Sequence, residues 1–139
     1  MIRLTRRYGF CASHRLHSDR LTEEANQELY GKCNNPHGHG HNYSLEITVA
    51  GTLDGKSGVL IRPGDLDAFV DECVLREMDH RHLNDDVAEF SALVPTSENL
   101  ARVIENRLNK KWSGRFPAGL RLEKVRLQET RRNRFELST

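Results

Sequence analysis

Long apolar runs, aromatic side chains and an excess of charge of either sign are all scarce in this chain. No apolar run approaches the roughly 20 residues that a helix needs to cross a bilayer, so we expect no membrane partner. Aromatic residues make up 6% of the chain and charged residues 29%, which predicts a modest core. The 21 basic and 20 acidic side chains nearly cancel, so the bulk charge does not indicate a nucleic-acid partner.

Cysteine is also scarce, and the three cysteines form an odd set. This disfavours a disulfide framework and makes a reactive or metal-binding thiol worth considering. Cys11 and Cys73 fit the buried faces of a strand and a helix, so we expect both in the core. The N-terminal residues alternate instead of forming an apolar signal segment, which favours a cytoplasmic protein. A chain of 139 residues suits a single domain over residues 1–139.

Alternating apolar residues predict strands in the first and last thirds of the chain. We expect one strand from Ile2 to His14, a second over residues 43–49, a third over 120–129 and a short fourth over 135–137. The alternation slips at Glu123–Lys124, which predicts a bulge.

Helical spacing and start signals predict helices in the middle of the chain. One begins at Pro63 and ends near Asp79–His80, and another follows residues 95–98 with Thr96 or Ser97 as its cap. Thr22 begins a short polar helix or loop. This order of elements favours an α+β fold with a four-stranded antiparallel sheet and two helices on one face.

Histidine is concentrated, because five of the seven histidines fall between positions 14 and 41. His39 and His41 lie two residues apart at the start of a strand, where side chains at i and i+2 point the same way. His14, near the end of the first strand, is a candidate third ligand. Three histidines leave one position of a tetrahedral zinc open for catalysis, and the pattern favours this over loop histidines without a role.

Three further positions are candidates for chemistry, each with a simpler alternative. Cys33 would be a base or nucleophile if nearby cations lower its pKa. Its alternatives are the fourth ligand of a closed, structural zinc site and a small residue in a turn. Asp79 and His80 form an acid–base pair or, as the sequence alone favours, a helix C-terminal cap. Glu129 shares the inward parity of its strand, so it either ends the strand in solvent or binds a ligand with adjacent N–H donors.

These residues resemble the motifs of the 6-pyruvoyl-tetrahydropterin synthase family, in the family's order and over nearly the whole chain. The motifs are FCASHRL (10–16), GKCNNP (31–36), GHGHNY (38–43), residues 65–66, residues 78–80 with 83–84, residues 95–99 and residues 128–130. The block from the cysteine to the paired histidines is long and highly specific.

The resemblance implies a role for each candidate. The Zn²⁺ ligands that it implies are His14, His39 and His41. The catalytic residues that it implies are Cys33 as proton acceptor, Asp79 and His80 as proton relay, and Glu129 as anchor of the pterin's amino-pyrimidine edge. The substrate-binding residues that it implies are Glu129, Thr96, Ser97 and Glu98.

The resemblance also implies a fold and a reaction. The fold would be the tunnelling fold, in which small sheets join across subunits into a barrel, in a homohexamer with active sites at subunit junctions. The reaction would be the zinc-dependent conversion of 7,8-dihydroneopterin triphosphate to 6-pyruvoyl-tetrahydropterin, a lyase reaction that releases triphosphate. The candidates for binding the triphosphate, by position only, are Arg15, Lys32 and Arg62.

Two alternatives stay open. The spacing of Cys33, His37 and His39 resembles the 6-carboxytetrahydropterin synthases of queuosine biosynthesis, which use the same substrate and release acetaldehyde. The long insert between His14 and Cys33 favours pyruvoyl chemistry instead. From another class, the chain would be a non-catalytic zinc or pterin-binding module in which Cys33 closes a structural zinc site.

Overall fold

A five-stranded sheet forms the centre of the molecule. The structure, a computed structural model, describes residues 1–139. The strands are β1 (Ile2–His14), β2 (His39–Gly51), β3 (Arg81–His82), β4 (Arg121–Gln128) and β5 (Arg134–Ser138). Their order across the sheet is β3-β1-β2-β4-β5, and all neighbouring pairs are antiparallel except β1 with β3.

The prediction of four strands was therefore wrong by one. Arg81 and His82 pair in parallel with Ala12 and Ser13 at the edge of the sheet. A strand of two residues is too short to show an alternating pattern, so the sequence gives no signal for it. The α+β class and the bulge are confirmed, because Thr48 pairs with Lys124 while Val49 pairs with Leu122 and the residue between them is left over.

The helices lie between β1 and β2 and between β2 and β4 along the chain. They are α1 (Glu23–Tyr30), α2 (Pro63–Val70), α3 (Arg76–Met78), α4 (Leu83–Asp86) and α5 (Ser97–Arg115). A π-helical turn, Asp71–Leu75, joins α2 to α3 without a break, so the helix predicted from Pro63 is one continuous rod. Thr22 and Thr96 cap α1 and α5 through their side-chain oxygens, as predicted. No helix has both the length and the apolar character needed to span a bilayer.

One hydrophobic core joins helices α2 to α5 to one face of the sheet. It holds the helix residues that the spacing placed inward: Leu66, Phe69, Val70, Cys73, Val74, Leu100, Val103, Ile104 and Leu108. From β2 it holds Tyr43, Leu45, Ile47 and Val49. The opposite face of the sheet is polar, with Thr5 bonded to Thr48 and Arg126 paired with Glu46.

Cys11 is not in the core, contrary to the prediction. It alternates with the buried Phe10 and Ala12, so its side chain faces the polar side of the sheet. There it is exposed, and its Sγ donates to Asn42 Oδ1 at 2.7 Å. Cys73 is buried, as predicted.

Candidate active site

The pairing of β1 with β2 gathers three histidines at one end of the sheet. His14 pairs with His39 across the two strands, and Ala12 pairs with His41. His39 and His41 point to the same side, with their ring centroids 4.7 Å apart. The Nε2 atoms of His14 and His41 lie 3.1 Å apart. The register of two antiparallel strands therefore creates a cluster of imidazoles from distant parts of the sequence.

His14 is fixed in an orientation that suits a metal ligand. It is fully buried, and its Nδ1 lies 3.0 Å from the carbonyl oxygen of Pro95 and 3.3 Å from the hydroxyl of Tyr43. Since the carbonyl can only accept, Nδ1 carries the proton and Nε2 presents its lone pair to His41. Burial, with the neighbouring imidazole of His41, lowers the pKa of His14 to about 4.

A group of four donor atoms converges beside these rings. The nearest ligand atoms of His14, Cys33, His41 and Glu129 all lie within 4.8 Å of one another. The Nε2 of His41 is 3.8 Å from Cys33 Sγ and 3.2 Å from a Glu129 carboxylate oxygen. His39 is exposed and is not in this group. Imidazole, thiolate and carboxylate are the ligand types that zinc takes in proteins, so the chemistry of the donor set fits a zinc ion.

The surroundings of Cys33 favour the protonated thiol over the thiolate. Burial raises its pKa, and the carboxylate of Glu129 raises it further. Burial lowers the pKa of His41, against the opposing effect of the Glu129 carboxylate, so the neutral imidazole is favoured there. A thiolate at Cys33 therefore requires positive charge brought into the cluster.

Asn34 holds the segment that carries Cys33, a role that no sequence pattern indicated. Its buried side chain donates to the carbonyl of Leu16 at 2.8 Å and lies 3.1 Å from Nδ1 of His17. The carbonyl of Cys33 accepts in turn from the backbone N–H of Leu16 at 2.7 Å. Asparagine in a loop rich in Gly, Asn and Pro normally indicates a turn, so only the folded structure distinguishes it.

All four residues predicted to bind substrate line one cavity of about 260 Å³: Thr96, Ser97, Glu98 and Glu129. Ser97 donates its hydroxyl to the carboxylate of Glu129, whose side chain is 17% exposed. The cavity wall also includes the side chains of Leu16, Tyr30 and Phe135. A small, partly apolar cavity that contains the carboxylates of Glu98 and Glu129 suits a planar ring that carries N–H donors.

Asp79 and His80 form a pair, but the chain does not bring this pair to its own Cys33. A carboxylate oxygen of Asp79 lies 3.1 Å from Nδ1 of His80 and accepts from the backbone N–H of Cys11 at 2.9 Å. The side chain of His80 is 80% exposed, and its backbone has a left-handed φ of 61°. No hydrogen bond joins either residue to Cys33. His80 lines a separate cavity that also reaches His41.

Comparisons with known proteins agree with this geometry. The family model of 6-pyruvoyl tetrahydropterin synthase matches residues 3–139. The 6-pyruvoyl tetrahydrobiopterin synthase of Poecilia reticulata is 45% identical over 130 residues, which cover 94% of this chain and 85% of that protein. The solved structure of Caenorhabditis elegans 6-pyruvoyl tetrahydropterin synthase is 37% identical with a TM-score of 0.88, and the match covers 99% of this chain and 95% of that one.

A more distant relative carries a different name. The 6-carboxy-5,6,7,8-tetrahydropterin synthase of Haemophilus influenzae is 29% identical over 120 residues, which cover 72% of this chain and 79% of that protein. The match to the family model over nearly the whole chain, the high identity of the first two relatives and the shared fold lead to one conclusion. The chain belongs to the 6-pyruvoyl tetrahydropterin synthase family, and it is an enzyme of the lyase type.

Proposed function

We propose that this enzyme converts 7,8-dihydroneopterin triphosphate to 6-pyruvoyl-tetrahydropterin and triphosphate, with zinc as its cofactor. The observation that carries the proposal is the position of Glu129. Its carboxylate lies 3.2 Å from Nε2 of His41 and also forms the wall of the cavity beside Ser97. A pterin ring held by Glu129 in that cavity has its side chain next to the histidine cluster, where the reaction has to occur.

We assign the zinc ion to His14, His39 and His41. His14 supports the assignment because its Nδ1 bonds the carbonyl of Pro95, so its Nε2 presents a lone pair to the histidine cluster. His39 supports it because its ring lies beside that of His41 on the same side of β2. Zinc in such a site supplies positive charge that lowers the pKa of nearby acidic groups and stabilises negative charge developing in the reaction.

The side chains of the cluster then have separate tasks. Cys33, whose sulfur lies 3.8 Å from Nε2 of His41, takes a proton from a carbon of the substrate side chain once nearby positive charge has lowered its pKa. Glu129 accepts N–H groups of the amino-pyrimidine edge, and Ser97 holds the carboxylate in place. Triphosphate departs as the leaving group. No external redox cofactor is needed, since reduction of the ring balances oxidation of the side chain.

We further propose that Asp79 and His80 act on Cys33 of a neighbouring copy in a homohexamer. The pair is exposed and has no bond to Cys33 of its own chain, so a second copy has to approach it if it relays the proton. The edge strand β5 has one free side, which favours joining of sheets between copies. Light scattering should give a mass of about six times the 16.0 kDa of one chain.

Mixed oligomers test the shared site. Cys33→Ala and His80→Ala should each be slow alone, and co-expression of the two should restore part of the activity because some sites receive both intact groups. Co-expression of Cys33→Ala with Glu129→Gln is the control, since both residues lie in one chain's cluster and no site becomes intact. Equal recovery in both mixtures, or none in the first, would contradict a site shared between copies.

Pyruvoyl chemistry is preferred over the release of acetaldehyde because the pyruvoyl-named relatives are more similar over more of the chain. The spacing of Cys33, His37 and His39 is the observation that favours the second candidate. His37 is exposed and does not belong to the convergent donor group, so nothing in the geometry gives it a separate task.

Cobalt substitution tests the zinc assignment directly. With three histidine ligands and an open position, the cobalt protein should show no intense thiolate-to-cobalt charge-transfer band. His39→Ala should lose the metal, whereas Glu129→Gln should keep it. A strong thiolate band, with metal retained in His39→Ala, would instead show a closed site of His14, Cys33, His41 and Glu129.

A further inference from the structure

We propose that Arg15 and Lys32 bind the triphosphate of the substrate in a second cavity, on the other side of the histidine cluster from the pterin cavity. This inference rests on the proposed function, because it assumes a pterin substrate that carries a triphosphate.

The cavity has a volume of about 460 Å³ and a wall of polar and charged groups. Arg15 and Lys32 line it, and neither makes an ion pair with a carboxylate anywhere in the chain. Arg15 donates from Nε to the carbonyl of Asn34 at 3.3 Å, which orients the guanidinium and leaves its terminal N–H groups free. Glu23 is the only carboxylate in the wall. Two cations without counter-ions in a concave wall form a binding site for a multiply charged anion.

The position of the cavity matches the shape of the substrate. The pterin cavity and this cationic cavity are lined by neighbouring residues of the chain: Leu16 and Tyr30 line the first, and Arg15 and Gly31 line the second. His39 lines the cationic cavity.

His41 lies close to one wall residue of each cavity. Glu129, in the wall of the pterin cavity, lies 3.2 Å from Nε2 of His41, and the ring of His39, in the wall of the cationic cavity, has its centroid 4.7 Å from that of His41. The order is therefore ring site, histidine cluster, cationic site. The substrate has the same order of ring, short side chain and triphosphate.

Two other basic side chains are poorer candidates. Arg62, a candidate by sequence position, lies at the start of α2 and does not line this cavity. His17 does line it, but its Nε2 faces the carboxylate of Asp19 at 3.5 Å, and its Nδ1 faces Asn34. The side chains of Arg15 and Lys32 are therefore the two that the cavity offers to an anion.

Calorimetric titration of the zinc-loaded protein with two probes tests the assignment. Inorganic tripolyphosphate represents the triphosphate alone, and 7,8-dihydroneopterin represents the rest of the substrate. Arg15→Gln and Lys32→Gln should each weaken tripolyphosphate binding about tenfold or more, the scale of one lost hydrogen bond to a charged group, and leave dihydroneopterin binding unchanged. Glu23→Gln should not weaken tripolyphosphate binding, since it removes a negative charge from the wall.

The controls separate a local contact from general charge and from misfolding. Lys56→Gln removes one positive charge from an exposed turn and should change neither affinity. Zinc content and melting temperature verify the fold of each variant. Lys32 is exposed, so Lys32→Gln should fold normally and still tests the site if Arg15→Gln is unstable. Tripolyphosphate binding that is equal in wild type, Arg15→Gln and Lys32→Gln would overturn the proposal.

Turnover distinguishes this failure from failure of the proposed function. If wild type releases triphosphate from the substrate and both charge variants keep its KM, the proposed function stands and the triphosphate site is wrong. If tripolyphosphate binds with the expected dependence on Arg15 and Lys32 but dihydroneopterin triphosphate is not consumed, the anion site stands and the proposed reaction is wrong.

Discussion

Removing the side chain of Asn34 should both destabilise the protein and slow its reaction. Asn34 is 7% exposed, and its amide lies 2.8 Å from the carbonyl oxygen of Leu16 and 3.1 Å from Nδ1 of His17. Asn34→Ala removes both bonds and leaves the Leu16 carbonyl without this donor. A hydrogen bond contributes about 1 kcal/mol, and an unpaired buried group costs about 1–3 kcal/mol, so the free energy of unfolding should fall by about 2–3 kcal/mol.

Thermal unfolding of the zinc-loaded protein at one fixed protein concentration measures this loss. For a chain of this size we expect a melting temperature lower by about 5–10 °C. Asn35→Ala is the matched control, because its side chain is exposed and bonds only the backbone of His37; its loss should stay within about 0.5 kcal/mol.

Turnover of the same two variants completes the test. The backbone of Leu16 also bonds the carbonyl of Cys33, so Asn34→Ala should misplace the thiol and reduce turnover about tenfold or more. Equal melting temperatures for the two variants, or wild-type turnover in Asn34→Ala, would refute the reasoning.

Three further predictions concern the cluster itself. Cys33→Ala should keep zinc and melting temperature but slow triphosphate release about a hundredfold, the scale of a lost base, and a joint loss of zinc and stability would make Cys33 a ligand instead. Ser97→Ala removes the donor to Glu129 and should raise KM about tenfold at unchanged zinc content; an unchanged KM would count against the anchor. In the metal-free protein, burial lowers the pKa of His14 to about 4, so the unfolded state binds a proton that the folded state does not, and the free energy of unfolding should fall by about 1 kcal/mol from pH 7 to pH 5.5. If the free energy of unfolding of His14→Asn falls as much over this pH range as that of wild type, His14 is not the cause.

The parts of the fold and site that follow local periodicity were predictable. Alternation along β2 places His39 and His41 on one side, and the slip of alternation at Glu123–Lys124 marks the bulge. The inward parity of Glu129 likewise predicted a carboxylate that either lies in solvent or binds a partner, and in the structure it accepts a hydrogen bond from Ser97. Each of these signals depends on a few consecutive residues.

The features that depend on distant contacts were not predictable. Asn34, Tyr43 and Pro95 support the cluster through bonds to remote parts of the chain, and no spacing rule marks them. The parallel strand β3 is only two residues long, so it has no pattern of its own.

The pair of Asp79 and His80 was favoured as a helix cap on sequence alone. Asp79 does follow the last helical residue, yet its carboxylate bonds the backbone of Cys11 on β1. Whether a side chain caps its own helix or reaches another element depends on tertiary packing, which local sequence does not encode. A role for Asp79 and His80 in the site of a second copy would depend on contacts between chains, which the local sequence does not indicate either.

The product formed from 7,8-dihydroneopterin triphosphate tests the central claim most directly. The zinc-loaded protein should be incubated with this substrate under exclusion of oxygen, and the pterin identified by mass spectrometry while triphosphate and acetaldehyde are assayed in the same sample. We predict 6-pyruvoyl-tetrahydropterin with an equal amount of triphosphate and no acetaldehyde. A 6-carboxy pterin accompanied by acetaldehyde, or no release of triphosphate, would contradict the proposed function.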